Sequence, residues 1–319
     1  VSQGRPAEAE KHFDEALTTF REAGAKFEAA STLNDIGMML FNRGDLAGAQ
    51  KRYEESMALF GEIGEKSGTA TTQTNIAEIL ECRGDLDGAR SMHEDALALN
   101  RSIGDRSGIA YDLFRLGAVF TLRGDLAAAR SRYQEALSIQ EELEDSISAA
   151  DTRVALAGLS IEGGKATEAE KAAREAEEIL RTGGALDRGY LALATVSEAL
   201  LAQGKRQQAL AVAESAWKHA SESEDRRIRF AVAVARGRAI AASGSSTDVD
   251  ASLKFLDGIR ADAARDKFVV YELEARLAAG EIELAAGRAS GKKRLAQLEA
   301  DATGRGFGRI ARRAAAGAA

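Results

Sequence analysis

Apolar residues along this chain recur at three- and four-residue steps, and that pattern itself recurs every forty residues. Leu33, Ile36, Gly37 and Leu40 follow the i, i+3, i+4, i+7 spacing of one buried helix stripe. A polar break follows at Asn42–Asp45, and then a second stripe: Leu46, Ala49, Tyr53, Ser56, Met57 and Phe60. The pattern predicts two helices per repeat, each of roughly 17 residues and about 25 Å. Their short connections make neighbours antiparallel. Gly44 is placed to stop the first helix through a left-handed C-terminal cap, and Asp45 to cap the second. Gly64 ends the second helix, and Glu65, or Asp105 one repeat on, begins the next first helix.

Laying copies over one another shows no drift. Gly4, Gly44, Gly84, Gly124, Gly164, Gly204 and Gly244 stand forty residues apart, three of them within Arg-Gly-Asp-Leu. Five residues past the glycine comes Ala9, Ala49, Ala89, Ala129, Ala169 or Ala209. Nine past it comes Phe13, Tyr53, His93 or Tyr133, then Ala173 and Ala213. Such a register marks a repeat array. Small residues at Gly37, Ala77, Gly117, Ala157, Ser197, Gly237 and Gly280 let the paired helices approach closely, and the rings of Tyr53 and Tyr133 are expected to fill space beside the next repeat.

The combination of Gly37, Ala49, Tyr53 and Ser56, repeated as Gly117, Ala129, Tyr133 and Ala136, resembles the tetratricopeptide repeat (TPR). The likeness covers nearly the whole chain and is to the long-repeat type of kinesin-light-chain-like adaptors and bacterial signalling proteins. It departs from the family pattern in its forty-residue period and in lacking the closing proline. The resemblance implies an all-α fold, a right-handed solenoid of antiparallel helix pairs, with the first helices lining a concave face. The chain is read as one TPR-like array over 1–319. Residues 1–24 form an orphan second helix, 25–244 regular repeats, and 245–319 degenerate repeats with a C-terminal cap. Gly244 to Gly287 spans 43 residues, and the insertion is expected as a loop over Ser243–Asp250, followed by a long helix near 265–286. Leu295, Leu298, Phe307 and Ile310 are expected to close the exposed end, as solenoids require. At the other end, Phe13, Ala16, Leu17 and Phe20 would face an absent partner, so the chain is read as starting inside a longer protein or offering a contact there.

Composition agrees with helices packed through small side chains: 5% aromatic residues and a single proline, Pro6. Charge is uneven. Residues 1–160 carry 17 Lys/Arg against 27 Asp/Glu, whereas residues 288–319 hold eight basic and two acidic residues. The acidic half disfavours nucleic acid. No apolar run reaches the ~18 residues of a membrane span, and the lone Cys82 permits no disulfide within the chain, which fits a cytoplasmic setting.

Chemistry is sparse. His12, His93 and His219 lie on second helices of different repeats without metal-ligand spacing, and His93 replaces a packing ring. Cys82 has no histidine near it in sequence, and Gly304, Gly306 and Gly308 read as a helix break rather than a phosphate loop. No cofactor, metal or catalytic residue is assigned, and the chain is read as no enzyme. Helix geometry instead selects a stripe opposite Gly37: Asn34, Asp35, Met38, Phe41 and Asn42, then Asn75, Glu78 and Cys82, then Tyr111, Phe114 and Arg115. Aromatic anchors beside adaptable polar groups suit peptide recognition. In long-repeat relatives an asparagine at the place of Asn75 holds a peptide backbone, which the resemblance carries to Asn75 alone. The later face, with Val154, Ala155, Leu191, Ala194, Val234 and Ala235, is either an apolar groove or tighter packing. The reading is a scaffold that binds a protein or peptide, with no nucleic-acid or membrane partner, as the TPR part of a larger bacterial regulator. The alternatives are self-association through the solenoid ends, including a homo-oligomer through the N-terminal end, and an enzyme with an unfamiliar site.

Overall fold

The computed structural model describes the backbone of residues 4–318 and the side chains of residues 11–318, so the side chains of Pro6 and Ala9 lie outside it. Helix α1 (Gly4–Glu22) precedes seven helix pairs. These are α2 (Lys26–Asn42) with α3 (Leu46–Glu62), α4 (Lys66–Arg83) with α5 (Leu86–Ile103), α6 (Arg106–Arg123) with α7 (Leu126–Glu142) and α8 (Ser146–Glu162) with α9 (Ala166–Thr182). Then come α10 (Leu186–Ala202) with α11 (Arg206–Ala220), α12 (Arg226–Ala241) with α13 (Ser246–Arg265) and α14 (Val269–Ala285) with α15 (Ala289–Gly304). A last first helix, α16 (Gly308–Ala318), follows.

The junctions form as the sequence dictates. Gly44 adopts φ +88°, and the carboxylate of Asp45 accepts the N–H of Gly48 at 2.9 Å. Glu65 and Asp105 cap α4 and α6 in the same way. The Tyr53 ring lies over Gly37 of its own repeat and shares a core with Ile76 and Ile79 of the next. A β-carbon at Gly37 would sit 2.5 Å from that ring, and one at Gly117 would sit 2.6 Å from Tyr133. Gly37→Ala is therefore expected to destabilise the fold by about 1–3 kcal/mol through overpacking. Gly61→Ala, in α3 with open space around it, is expected to be neutral or to gain up to ~1 kcal/mol from helix propensity. Urea midpoints of the two variants check this; equal midpoints would mean that helix approach is not set by the missing side chain.

First helices touch their counterparts in the repeats before and after, so they line the inner face of a superhelix. Ten helices on, the chain returns over its own start. The N-terminal end of α12 meets the C-terminal end of α2, α14 meets α4, and α16 meets α6. Arg226 Nε donates to the carbonyl of Arg43 at 2.9 Å, and Arg312 donates to the carbonyl of Gly124. These carbonyls belong to helix ends, which lack intrahelical donors. Phe268 (1% exposed) and Phe307 (0%) are buried in this seam. Phe268 joins Phe41, Leu46 and Ile79, and Phe307 joins Leu86, Ala89 and Val119. One superhelical turn thus takes five repeats, and the second turn sits on the first.

The C-terminal region departs from expectation in three places. Residues 246–250 are not a loop: Ser245 caps α13 by accepting the Asp248 N–H, and the additional residues lengthen that helix to 20. The long helix expected near 265–286 forms as α14 but starts only at Val269, because Lys267 takes a left-handed φ of +62° just before it. Leu295, Leu298, Phe307 and Ile310 do not merely close a free end; they are buried in a core shared with α5 and α6 of the first turn. At the other end Leu17 is covered by Ala29, Leu33 and Ile36 of α2, with Phe13 and Phe20 beside them.

Candidate partner-binding groove

The inner face of the first turn is built by α2, α4 and α6, whose C-terminal ends the seam covers. The stripe read from the sequence therefore divides in two. Toward the middle of the helices it stays open. Met38 and Tyr111 are 51% and 46% exposed, unusual for large apolar side chains. Between them Asn75 Nδ2 donates to Asn34 Oδ1 at 2.8 Å, which locks two amides that point inward. Asp35 is exposed and has no ion pair among the described residues; partial desolvation raises its carboxyl above the usual range.

Toward the seam the stripe is closed. Phe41 is buried under the Arg227 guanidinium, 4.7 Å from its ring centroid, and Asn42 beside it is half-buried. Glu78 is buried at the centre of a polar cluster. It accepts Tyr111 Oη–H at 2.6 Å and Arg227 Nη1 at 2.5 Å, with Arg115 Nε 3.7 Å away. Glu81 accepts Arg115 Nη2 at 2.6 Å and lies 2.8 Å from His93 Nε2. Arg227 also pairs with Asp225, the cap of α12. Burial alone would push the Glu78 carboxyl up, but Arg115, Arg227 and the Tyr111 hydroxyl overcome it and hold it at about 2. Phe114 leans on Tyr133, with ring centroids 5.6 Å apart. Phe41 and Glu78 are thus buried at the seam, and Arg115 and Phe114 are half-buried and held by the ion cluster and the Tyr133 ring, while Asp35, Met38 and Tyr111 are exposed and Asn34, Asn42 and Asn75 half-buried beside them. Sequence reasoning misses Arg227 and gives His93 only a packing role. Arg227 comes from a helix five repeats away, and a forty-residue period carries no sign of where the superhelix meets itself.

This cluster has the groups of an acid–base site but not their tuning. A general base works best with its pKa near the ambient pH, whereas Glu78 is locked as an ionised carboxylate between two guanidinium groups. Burial pushes the neighbouring Cys82 thiol up to about 12, which removes it as a nucleophile. Ion-pair networks of structural purpose shift pKa values in this way too. Among the described residues no three His, Cys, Asp or Glu side chains are placed to hold a metal.

The later inner face is closed in part: Val154, Ala155 and Leu191 stay half-buried. Ala194 and Ala235 are buried with Ala216, Ala220, Ile228 and Val232, and Val234 is buried with residues of α13 and α14. A cavity of about 720 Å³ lies away from the groove, between α1, α2 and α3, lined by Phe20, Arg21, Lys26, Arg52, Glu55 and Leu59. Lys51 lines it too, so four cations face one carboxylate, Glu55, which pairs with Arg21 at 3.1 Å and Arg52 at 3.5 Å, while Lys26 pairs with Glu62 outside the lining. No helix is long and apolar enough to cross a membrane among the described residues.

Paired helices at a forty-residue period, with small residues under rings and first helices inside, define a right-handed TPR-type solenoid. Within that class the chain belongs to the MalT-like TPR region family, which matches residues 1–243. No curated protein matches it in sequence. Among solved structures it resembles a Rap protein complexed with competence and sporulation factor, at 15% identity and a TM-score of 0.67, over 88% of this chain and 76% of that one. It also resembles the Rap conjugation gene regulator of plasmid pLS20 in complex with the Phr* peptide, at 16% identity and 0.68, over 90% and 76%. A third likeness is to the apo quorum sensor NprR of B. thuringiensis, at 13% identity and 0.56, over 91% and 81%. At these identities the likeness is one of fold.

Proposed function

We propose that this chain is a non-catalytic scaffold that holds a peptide or protein on the inner face of its first turn, as part of a larger cytoplasmic regulatory or signalling protein of bacteria. The observation that carries the reading is the open patch of Met38 and Tyr111 around the Asn34–Asn75 amide pair and the unpaired Asp35. Two apolar anchors flank groups able to bond a peptide backbone, and Asp35 favours a positive charge on the ligand. The family and the fold likeness to Rap proteins, two of them solved with bound peptide factors, support this reading. Arg115 and Phe114 leave the proposed contact set, since substituting either disturbs the ion cluster or the Tyr133 ring.

The test compares capture from a cell lysate by the wild type and by a Met38→Glu/Asp35→Lys variant, whose side chains are exposed and lie outside the ion cluster that the Tyr111 hydroxyl joins. Anchor residues typically carry about 2 kcal/mol or more of binding energy, so proteins or peptides held by the wild type should be lost from the variant while helicity is unchanged. Equal retention by both would reject this groove.

A further inference from the structure

The cavity between α1, α2 and α3 is positive where its surroundings are negative. Residues 1–160 carry 17 Lys/Arg against 27 Asp/Glu, yet Arg21, Lys26, Lys51 and Arg52 converge on this space of about 720 Å³. Glu55 cannot neutralise both guanidinium groups that share it. Lys51 has no ion pair among the described residues, and the Lys26–Glu62 pair is exposed on both sides, so it is weak and readily exchanged. The fold does not require this charge. One repeat on, the same places hold Gly61, Lys66, Ser91 and Met92, with Glu65 and Asp95 beside them, and the positive excess is gone. The missing acid is at Ala25. Glu65, Asp105 and Asp145 cap α4, α6 and α8 from that repeat position, whereas α2 has no side-chain cap. Its backbone is nonetheless set for one: φ and ψ at Ala25 are −80° and 77°, against −80° and 76° at the capping Asp45. An acid there would cap the helix and cancel part of the cavity's charge. Between the cations the lining is apolar, with Phe20, Ala29 and Leu59.

We propose that this cavity binds a small organic diphosphate, its phosphates among the four cations and its apolar part on Phe20 and Leu59. Pockets of about 300–1,000 Å³ that combine apolar walls with a few placed polar groups suit small molecules. Guanidinium groups hold phosphate oxygens through paired N–H donors, and the ammonium groups add point charges. The phosphates supply the negative charge that Glu55 alone cannot. None of the groove residues lines this cavity, so the outcome here leaves the proposed peptide site untouched.

Isothermal titration calorimetry of the whole chain with ADP, inorganic pyrophosphate and inorganic phosphate, without divalent metal, tests this. ADP should bind one to one and more tightly than pyrophosphate, which leaves Phe20 and Leu59 uncovered, and inorganic phosphate should bind weakest. Affinity should fall as salt rises. Lys51→Ser/Arg52→Met gives the cavity the residues of the next repeat, and should weaken ADP by about tenfold or more through the lost charged hydrogen bonds. Ala25→Asp should weaken ADP as well while raising the melting temperature through the new cap, so its loss of binding cannot be a loss of fold. Absence of saturable ADP binding, affinity that either variant leaves unchanged, or pyrophosphate bound as tightly as ADP would each overturn the proposal.

Discussion

Truncating Phe307 to alanine is expected to destabilise the chain by about 3–5 kcal/mol, the range for a fully buried phenylalanine. Phe307 is 0% exposed and stands at a repeat position that in other first helices carries a capping acid: Glu65, Asp105, Asp145 and Asp225. Phe268 makes the same exchange at the start of α14. A cap contributes about 1 kcal/mol, whereas full burial of the ring contributes about 1.5–3 kcal/mol before any cavity cost, so the exchange favours the seam. Because solenoids unfold by units rather than all at once, the informative readout is local. Hydrogen exchange should accelerate at the C-terminal ends of α4 and α6, which Phe307 covers from the far side of the superhelical turn, as well as in α15 and α16. Acceleration confined to α15 and α16 would show that the ring stabilises only its own repeat and that the turns are not coupled.

The repeat itself is easily read, because each helix pair is specified by contacts within forty residues. Gly44 with Asp45, Gly37 with Tyr53, and Ala49 beneath them all lie within one copy or its neighbour. The superhelical return is not readable in that way. It depends on small rotations accumulated over five repeats, and its register appears only when α12 lands on α2. The residues that serve it do leave a trace. Although Arg226 follows the pattern, at the position of Lys26, Lys66 and Arg106, Phe268 and Phe307 break it at positions where earlier copies carry Ala25, Glu65, Asp105 and Asp145. Their departure looks like decay of the repeat, which is why the degenerate C-terminal region reads as a cap.

The same limitation explains the groove. Helix periodicity places Asn34, Asp35, Met38, Asn75, Glu78, Tyr111 and Arg115 on one inner stripe. It does not say which end of that stripe a later turn covers. Tyr111 and Arg115 are one helical turn apart, yet the first keeps nearly half its surface and the second is enclosed between Glu78 and Glu81. Aromatic and charged residues on a concave face thus serve two purposes, an open surface and a closed seam, that only the three-dimensional return distinguishes.

Acid should loosen that seam through Glu78. Its carboxyl titrates at about 2 in the folded chain against 4.5 for the ordinary value. A depressed carboxyl stabilises the fold at pH values above the unfolded pKa. Its contribution is complete above about 4.5 and is lost as pH falls toward 2, when the unfolded chain binds the proton more readily than the folded one. The difference between those two values corresponds to about 3 kcal/mol. Other carboxyls titrate in the same window: Glu274 and Asp301 are also lowered, and Asp112 and Asp151 are raised by burial. The wild type alone therefore gives only the sum. Glu78→Gln isolates the part that belongs to the seam. At neutral pH the variant should be less stable by several kcal/mol, because Arg115 and Arg227 keep their buried charge and lose a counter-ion. Near pH 2.5 the gap between variant and wild type should shrink to a fraction of its neutral value. Urea midpoints of the pair at both pH values measure this. A gap that stays constant with pH would mean that the Glu78 carboxylate is not what ties the second turn to the first.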